Sequence, residues 1–438
     1  MGGPKGQAGG GRVPHYSRSS PNPCIIALQI FSHSVFSLRY PAMAPKLPND
    51  QKMLRRSALF ATAYGSLALA GAARSQDKST IAGIHEAVES FVDRKEIAGA
   101  VTMVVDKDRV LHLDAAGYAD LTSKTPMTPD HLFWIASMSK PITAICVMML
   151  VDEGKIALDD PIARYLPQMG GLRNESAERV NVSVLQTLNH TSGMRELDAP
   201  YADTSLANAV EKYAKSLVQF QPGTKWQYSQ TGINTAAHIV EVVSEMSFDA
   251  FVQKRLCEPL GLSDTAFYLT DSQQKRLAKS YARTPAGQLT ESPIFLLAGK
   301  EPTDRNRLPA ANGGLFSTPA DYGRICQMLL GGGTWQGKQI LSNRSVSMLG
   351  KPTTGELATG FTDGNAWGIG CCVVQAPQGP TAMLSKGTYG HGGAYGTQAW
   401  IDPVRERAYL LFVQRANFPN ADASDLRVEF QKLAAAGR

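Results

Sequence analysis

The segment "SKPITAICVMMLVDEGKI" at residues 139–156 constrains this chain more than any other, because it is apolar almost all the way round a helical projection. A helix at a protein surface keeps a polar face for water, and one without such a face must be enclosed by other elements. The segment therefore predicts a buried central helix. Pro141 lacks an N–H and is tolerated only in a first turn, so Ser137 should stand at or just before the helix start. The chain has 438 residues, 43% of them hydrophobic and 19% charged, which suits a globular body with a sizeable core and two lobes.

The elements around this helix are ordered in a telling way. "TIAGIHEAVESFVDRKEI" places Ile81, Ile84, Val88, Phe91 and Val92 on one helical face, and "GAVTMVVDKDRVLHLDAAGYAD" reads as a hairpin turning at "DKDR". Helical segments with Pro and Gly punctuation run from about 150 to 350. Strand character then returns in "AWGIGCCVV", "YGHGG", "GTQAWIDP" and "RAYLLFVQ", followed by a last helix in "DASDLRVEFQKLAAAG". This pattern implies an α+β fold, with an antiparallel sheet from both chain ends, helices flanking it and a mainly helical lobe inserted at 150–350.

The formal charge of +6 does not belong to that body. Residues 1–76 hold nine Lys or Arg against the single acid Asp50, leaving 35 basic and 37 acidic residues for 77–438, a net of −2. Nothing there points to nucleic acid. Residues 1–76 read as a leader: a Gly-, Pro- and Ser-rich extension, then "MLRRSALFATAYGSLALAGAARSQ" from Met53, with two arginines, an apolar run and an A-x-A-like site. That is the layout of an export signal, with Met53 as the expected initiator, a periplasmic or secreted product, and no stable membrane insertion once the signal is removed.

Cys146, Cys257, Cys326, Cys371 and Cys372 are scattered through apolar segments and read as buried thiols. "HEAVE" at 85–89 has Glu89 where a zincin helix needs its second His, so no metal site or cofactor is expected. No Gly-x-Ser-x-Gly elbow, P-loop or dinucleotide loop occurs either, which excludes an α/β-hydrolase.

The chemistry starts at Ser137-Met138-Ser139-Lys140. Residues three apart share a helix face, so Ser137 and Lys140 can meet, whereas Ser139 points elsewhere. A serine hydroxyl needs a neighbouring base to attack at neutral pH, and a desolvated lysine can provide one. Farther on stand Tyr228-Ser229-Gln230, leading into a helix, and His391-Gly392-Gly393 at a strand pair.

With "FWIASMSKPIT", "LDDPIARYLP", "LQTLNHTSGM", "YSQTGI", "GGLFSTPADYGR", "AWGIG" and "HGGAYGTQAWIDP" in this order, residues 80–435 resemble the serine hydrolases of the β-lactamase/transpeptidase fold. Within them the chain is most similar to family VIII carboxylesterases, near class C β-lactamases and DD-peptidases. The resemblance implies that Ser137 is the acylated nucleophile, with Lys140 and Tyr228 exchanging protons. It also implies an oxyanion hole from the backbone N–H groups of Ser137 and Ala394, and a pocket lined by Gln230, His391, Gly392 and Gly393.

The departures from the family pattern narrow the substrate. Gln230 stands where that group usually has Asn, Gly392 lacks a hydroxyl, and His391 replaces a fixed cation. A neutral short-chain or aryl ester is the substrate expected, ahead of a β-lactam or D-alanyl-D-alanine peptide, and ahead of a non-catalytic relative that binds cell-wall peptides. Elsewhere, His190 is expected to fasten a turn, Met138, Met148 and Met149 to belong to the core or the pocket wall, and Trp367 and Trp400 to pack, with Trp400 pointing from a strand into a lobe interface. Residues 295–314 read either as a specificity loop or as a surface excursion.

Overall fold

The computed structural model describes residues 81–199 and 201–437. The leader of residues 1–76, with the signal expected from Met53, lies outside the described residues.

Eight strands form one sheet: β1 (Gly99–Val105), β2 (Val110–Asp120), β3 (Thr125–Pro126), β4 (Asn365–Trp367), β5 (Cys372–Val374), β6 (Tyr389–Gly392), β7 (Gln398–Asp402) and β8 (Arg407–Val413). Their spatial order is β4-β5-β6-β7-β8-β1-β2-β3, and every neighbouring pair is antiparallel. The first and last strands of this sheet in chain order pair near its centre, with Val101 opposite Phe412 and Met103 opposite Leu410. The expected hairpin is present, its turn held by Asp106 Oδ1, which accepts from the N–H groups of Asp108 and Arg109 at 2.9 and 2.8 Å.

Both faces of the central strands are buried, which explains their unbroken apolar runs. Alternate residues serve two cores. Val101, Met103, Val105, Leu410 and Phe412 face α2 (Ser139–Asp152) and its surroundings, including α3 (Gln230–Ser244) and α4 (Pro319–Leu330). Ala100, Val104, Tyr409, Leu411 and Val413 face α1 (Ile84–Asp93) and α5 (Asp425–Ala436). Helix α4 sits so close to β1 that a Cβ on Gly323 would lie 3.0 Å from Met103 Sδ.

Helix α2 is the buried central helix: every residue from Ser139 to Leu150 is enclosed. Each buried Leu, Ile, Val or Met side chain stabilises the fold by about 1.5–3 kcal/mol. The turn between β4 and β5 closes on it, and there Gly370 is required twice over. Its φ is +65°, and a Cβ would come within 2.6 Å of Ala144 Cβ. Between β3 and β4 the chain is mainly helical, with short strand pairs.

Trp400 departs from expectation. It faces the α5 side of the sheet, away from the helical segment, with the Arg427 guanidinium 4.2 Å above its ring and its indole N–H donating to Gln398 Oε1 at 2.7 Å. Strand alternation decides this, because Ala399 and Ile401 take the other face.

Candidate active site

Ser137 stands in a single 3-10 turn, Ala136–Met138, immediately before α2. Ala136 holds φ +46°, a left-handed conformation that costs an L-residue roughly 1–2 kcal/mol. Tight packing keeps it there. A Cβ on Gly393 would lie 2.7 Å from the Ile135 carbonyl, and Thr397 Oγ1 donates to that carbonyl at 3.3 Å. The Trp134 indole donates to the Gly313 carbonyl at 2.7 Å, and Gln414 Nε2 to the Trp134 carbonyl at 2.9 Å. The outcome separates the two serines of the motif. Ser137 is half-buried, whereas Ser139 is fully enclosed and its Oγ accepts from the Leu315 N–H at 3.2 Å.

Lys140 is fully buried in the first turn of α2. Its Nζ donates to Ser137 Oγ at 3.0 Å, to Gln230 Oε1 at 2.9 Å and to the Asn312 carbonyl at 2.7 Å. It also lies 4.5 Å from the centre of the Tyr228 ring, within cation–π range. Gln230 is thereby given an internal partner: its side-chain oxygen also accepts from Asn312 Nδ2 at 2.8 Å.

Tyr228 and His391 meet with a defined polarity. His391 Nδ1 lies 2.6 Å from the Gly392 carbonyl, which can only accept, so Nδ1 carries the proton. The bare Nε2 then accepts from the Tyr228 hydroxyl at 3.3 Å. Burial, reinforced by the Lys140 charge, pushes His391 down to about 3, so the ring is neutral at physiological pH. Gly392 is imposed by packing, since a Cβ would lie 1.9 Å from Asp422 Oδ1 and 2.6 Å from Gln398 Nε2. Ala394 is exposed in the turn after β6, where Gly393 N–H donates to the Thr397 carbonyl at 2.7 Å.

His190 fastens the tyrosine segment, as expected. Its carbonyl accepts from Gln227 N–H at 2.9 Å and its Nδ1 from Ser229 N–H at 3.1 Å, gripping the chain on both sides of Tyr228. Desolvation holds it well below the usual histidine range.

Several residues at the site were not singled out by the sequence. Asn312 closes the Lys140 cluster, and residues 307–314 are buried, so this part of 295–314 is no surface excursion. Trp226 and Phe361 form an aromatic wall with Tyr228 and Trp367; the Phe361 ring stands 4.9 Å from Tyr228, edge to face. Glu196 Oε1 gathers the Ser229 hydroxyl at 2.8 Å and the N–H groups of Gln230 and Thr231 at 2.7 and 3.2 Å, at the start of α3. Desolvation raises its pKa against those donors. Only the interruption of the 307–314 segment by "NGG" hinted at any of this.

Among the described residues, no helix is long and apolar enough to cross a membrane. The chain is 30% identical over 373 residues to protein Rv1367c of Mycobacterium tuberculosis, covering 78% of this chain and 92% of that one. It is 24% identical to esterase EstB of Burkholderia gladioli, again over 78% and 92% of the two chains. It is 25% identical to a putative D-alanyl-D-alanine carboxypeptidase of Escherichia coli O157:H7, over 74% and 80%. Among solved structures, EstCE1, a hydrolase with promiscuous acyltransferase activity, superposes with a TM-score of 0.68 at 22% identity over 80% of this chain and 97% of its own. The family described as Beta-lactamase matches residues 84–434, from the first helix to the last and through every residue of the cluster, and the chain belongs to that family.

Proposed function

We propose that this serine hydrolase is a carboxylesterase acting on small neutral esters through an acyl-Ser137 intermediate. Ser137 Oγ attacks the ester carbonyl and its proton passes to the Lys140–Tyr228 pair. The backbone N–H groups of Ser137 and Ala394 receive the developing oxyanion, a contribution typically worth about 10²–10³ in rate. The pair returns the proton to the departing alkoxide, and water then attacks the acyl-enzyme by the same route to release the acid. A relative named as an esterase fits this reading.

One observation carries the choice of substrate: both ring nitrogens of His391 are committed within the protein, to Gly392 and to Tyr228. A neutral histidine with no N–H to spare offers nothing to the carboxylate of a β-lactam or a peptide C-terminus. The test is a parallel panel of p-nitrophenyl esters, nitrocefin and a D-alanyl-D-alanine peptide, with the acyl adduct located by mass spectrometry. Ester turnover with an adduct on Ser137 is expected. Faster nitrocefin turnover would replace the reading by a β-lactamase, and the absence of any adduct would favour a non-catalytic relative. The twin arginines and apolar run from Met53 support export, which sequencing the mature N-terminus tests.

A further inference from the structure

Glu196 has one oxygen inside the site's scaffold and one outside it. Oε1 is saturated by the Ser229 hydroxyl and the N–H groups of Gln230 and Thr231. Among the described residues Oε2 takes no hydrogen bond, yet it is not sealed away, and the residue is half-buried. The same Gln230 whose N–H binds Glu196 reaches Lys140 with its side chain. The carboxylate is therefore linked to Lys140 through a single residue, Gln230, and the Lys140 charge acts on it, opposing the upward push of burial on its pKa. The nearest cation in sequence, Arg195, turns outward to Glu175 at 3.3 Å with half its side chain exposed.

Lys140 would otherwise give the pocket a positive potential attractive to any anion. With Glu196 fixed near it, that potential is offset, and an approaching carboxylate also feels an opposing negative charge. We infer that Glu196 is a specificity-determining residue that turns anionic substrates away from Ser137, through the field of its free oxygen. Its role as an anchor for the start of α3 is separate, because that is performed by Oε1. The inference rests on the acyl-Ser137 reading.

The test compares kcat/KM for the monoanionic p-nitrophenyl hemiglutarate with that for neutral p-nitrophenyl butyrate. Glu196→Gln keeps a side-chain oxygen for the three donors and removes the charge. The anion-to-neutral ratio should rise about tenfold at low salt, and the gain should vanish near 1 M salt, where the screening length is about 3 Å. Glu196→Asp keeps the charge and should hold the ratio near that of the unaltered enzyme. An unchanged ratio in Glu196→Gln, a rise that ignores salt, or an equal rise in Glu196→Asp overturns the inference. A measurement without turnover separates this failure from failure of the catalytic reading. In a Ser137→Ala background, calorimetric affinity for phenylbutyrate relative to phenylbutyramide should rise when Glu196→Gln is added, and no rise counts against the inference. Ester hydrolysis surviving in Ser137→Ala would instead overturn the nucleophile.

Discussion

The Tyr228 hydroxyl lies 3.3 Å from His391 Nε2 and is the donor of that bond, because the proton of the ring sits on Nδ1 against the Gly392 carbonyl. A protonated His391 would force the Tyr228 hydroxyl to give up this acceptor and turn to accept instead, and burial opposes the charge as well. Acid should therefore attack the fold at this point. The folded-state value of His391 is about 3, below the ordinary 6.5, so the unfolded chain binds the proton first as pH falls. This contribution is fully present above about pH 6.5 and is lost as pH falls towards about 3, on the order of a few kcal/mol. His190 acts in the same direction. Urea midpoints between pH 7.5 and 4.5 should fall steeply, and His391→Gln should flatten the slope; an identical slope in that variant would refute the assignment.

The two motif serines should separate cleanly. Ser137→Ala is expected to reduce p-nitrophenyl butyrate hydrolysis by about 10³ or more, since nucleophile loss leaves only binding and oxyanion stabilisation. Ser139→Ala should retain most activity but lose about 1–3 kcal/mol of stability, because the Leu315 N–H is left without its acceptor. Comparable activity losses in the two variants would show that the helix phase had been misjudged.

How much of this was legible depended on whether sequence position fixed spatial position. The central helix, the hairpin and the sheet built from both chain ends follow from periodicity and element order, and the phase of Ser137 against Lys140 follows from helix geometry. His391 could be placed at the site but not protonated, because its state depends on a carbonyl it meets only in the folded strand and on burial beside Lys140. Asn312 and Glu196 were invisible, since they reach Gln230 across 82 and 34 residues of chain, and no local pattern reports so distant a pairing. Trp400 was misplaced because a tryptophan in a strand buried on both faces gives no sign of which face it takes.

Gln230 should matter through Lys140. Its amide oxygen accepts from Lys140 Nζ and from Asn312 Nδ2, so Gln230→Leu removes one acceptor from a fully buried cation and leaves the buried Asn312 amide only the Tyr201 hydroxyl, 3.0 Å away, to donate to. We expect kcat to fall about 10–100-fold and stability by about 1–3 kcal/mol, with Gln230→Glu recovering stability better than Gln230→Leu. Wild-type turnover in Gln230→Leu would mean that the amine is positioned without Gln230, by partners that include Ser137 Oγ and the Asn312 carbonyl.

Gly392→Thr is the substitution that sequence comparison would suggest for restoring an anion-binding hydroxyl, and the packing argues that it fails. A Cβ at this position would lie 1.9 Å from Asp422 Oδ1 and 2.6 Å from Gln398 Nε2, well inside contact distance. Neither neighbour is free to retreat. Gln398 Oε1 holds the Trp400 indole, and Asp422 is the carboxylate nearest the fully buried Arg427 at 3.9 Å. Even Gly392→Ala should therefore destabilise the protein by roughly 1–3 kcal/mol, with Gly392→Thr losing more, as in other overpacked sites. No gain in nitrocefin hydrolysis should accompany it, because His391 remains neutral. Thermal melts and nitrocefin rates on the two variants check this together. A Gly392→Thr protein as stable as its parent would refute the packing argument, and one that gains β-lactam turnover would show that the missing hydroxyl, and not the neutral His391, keeps β-lactams out.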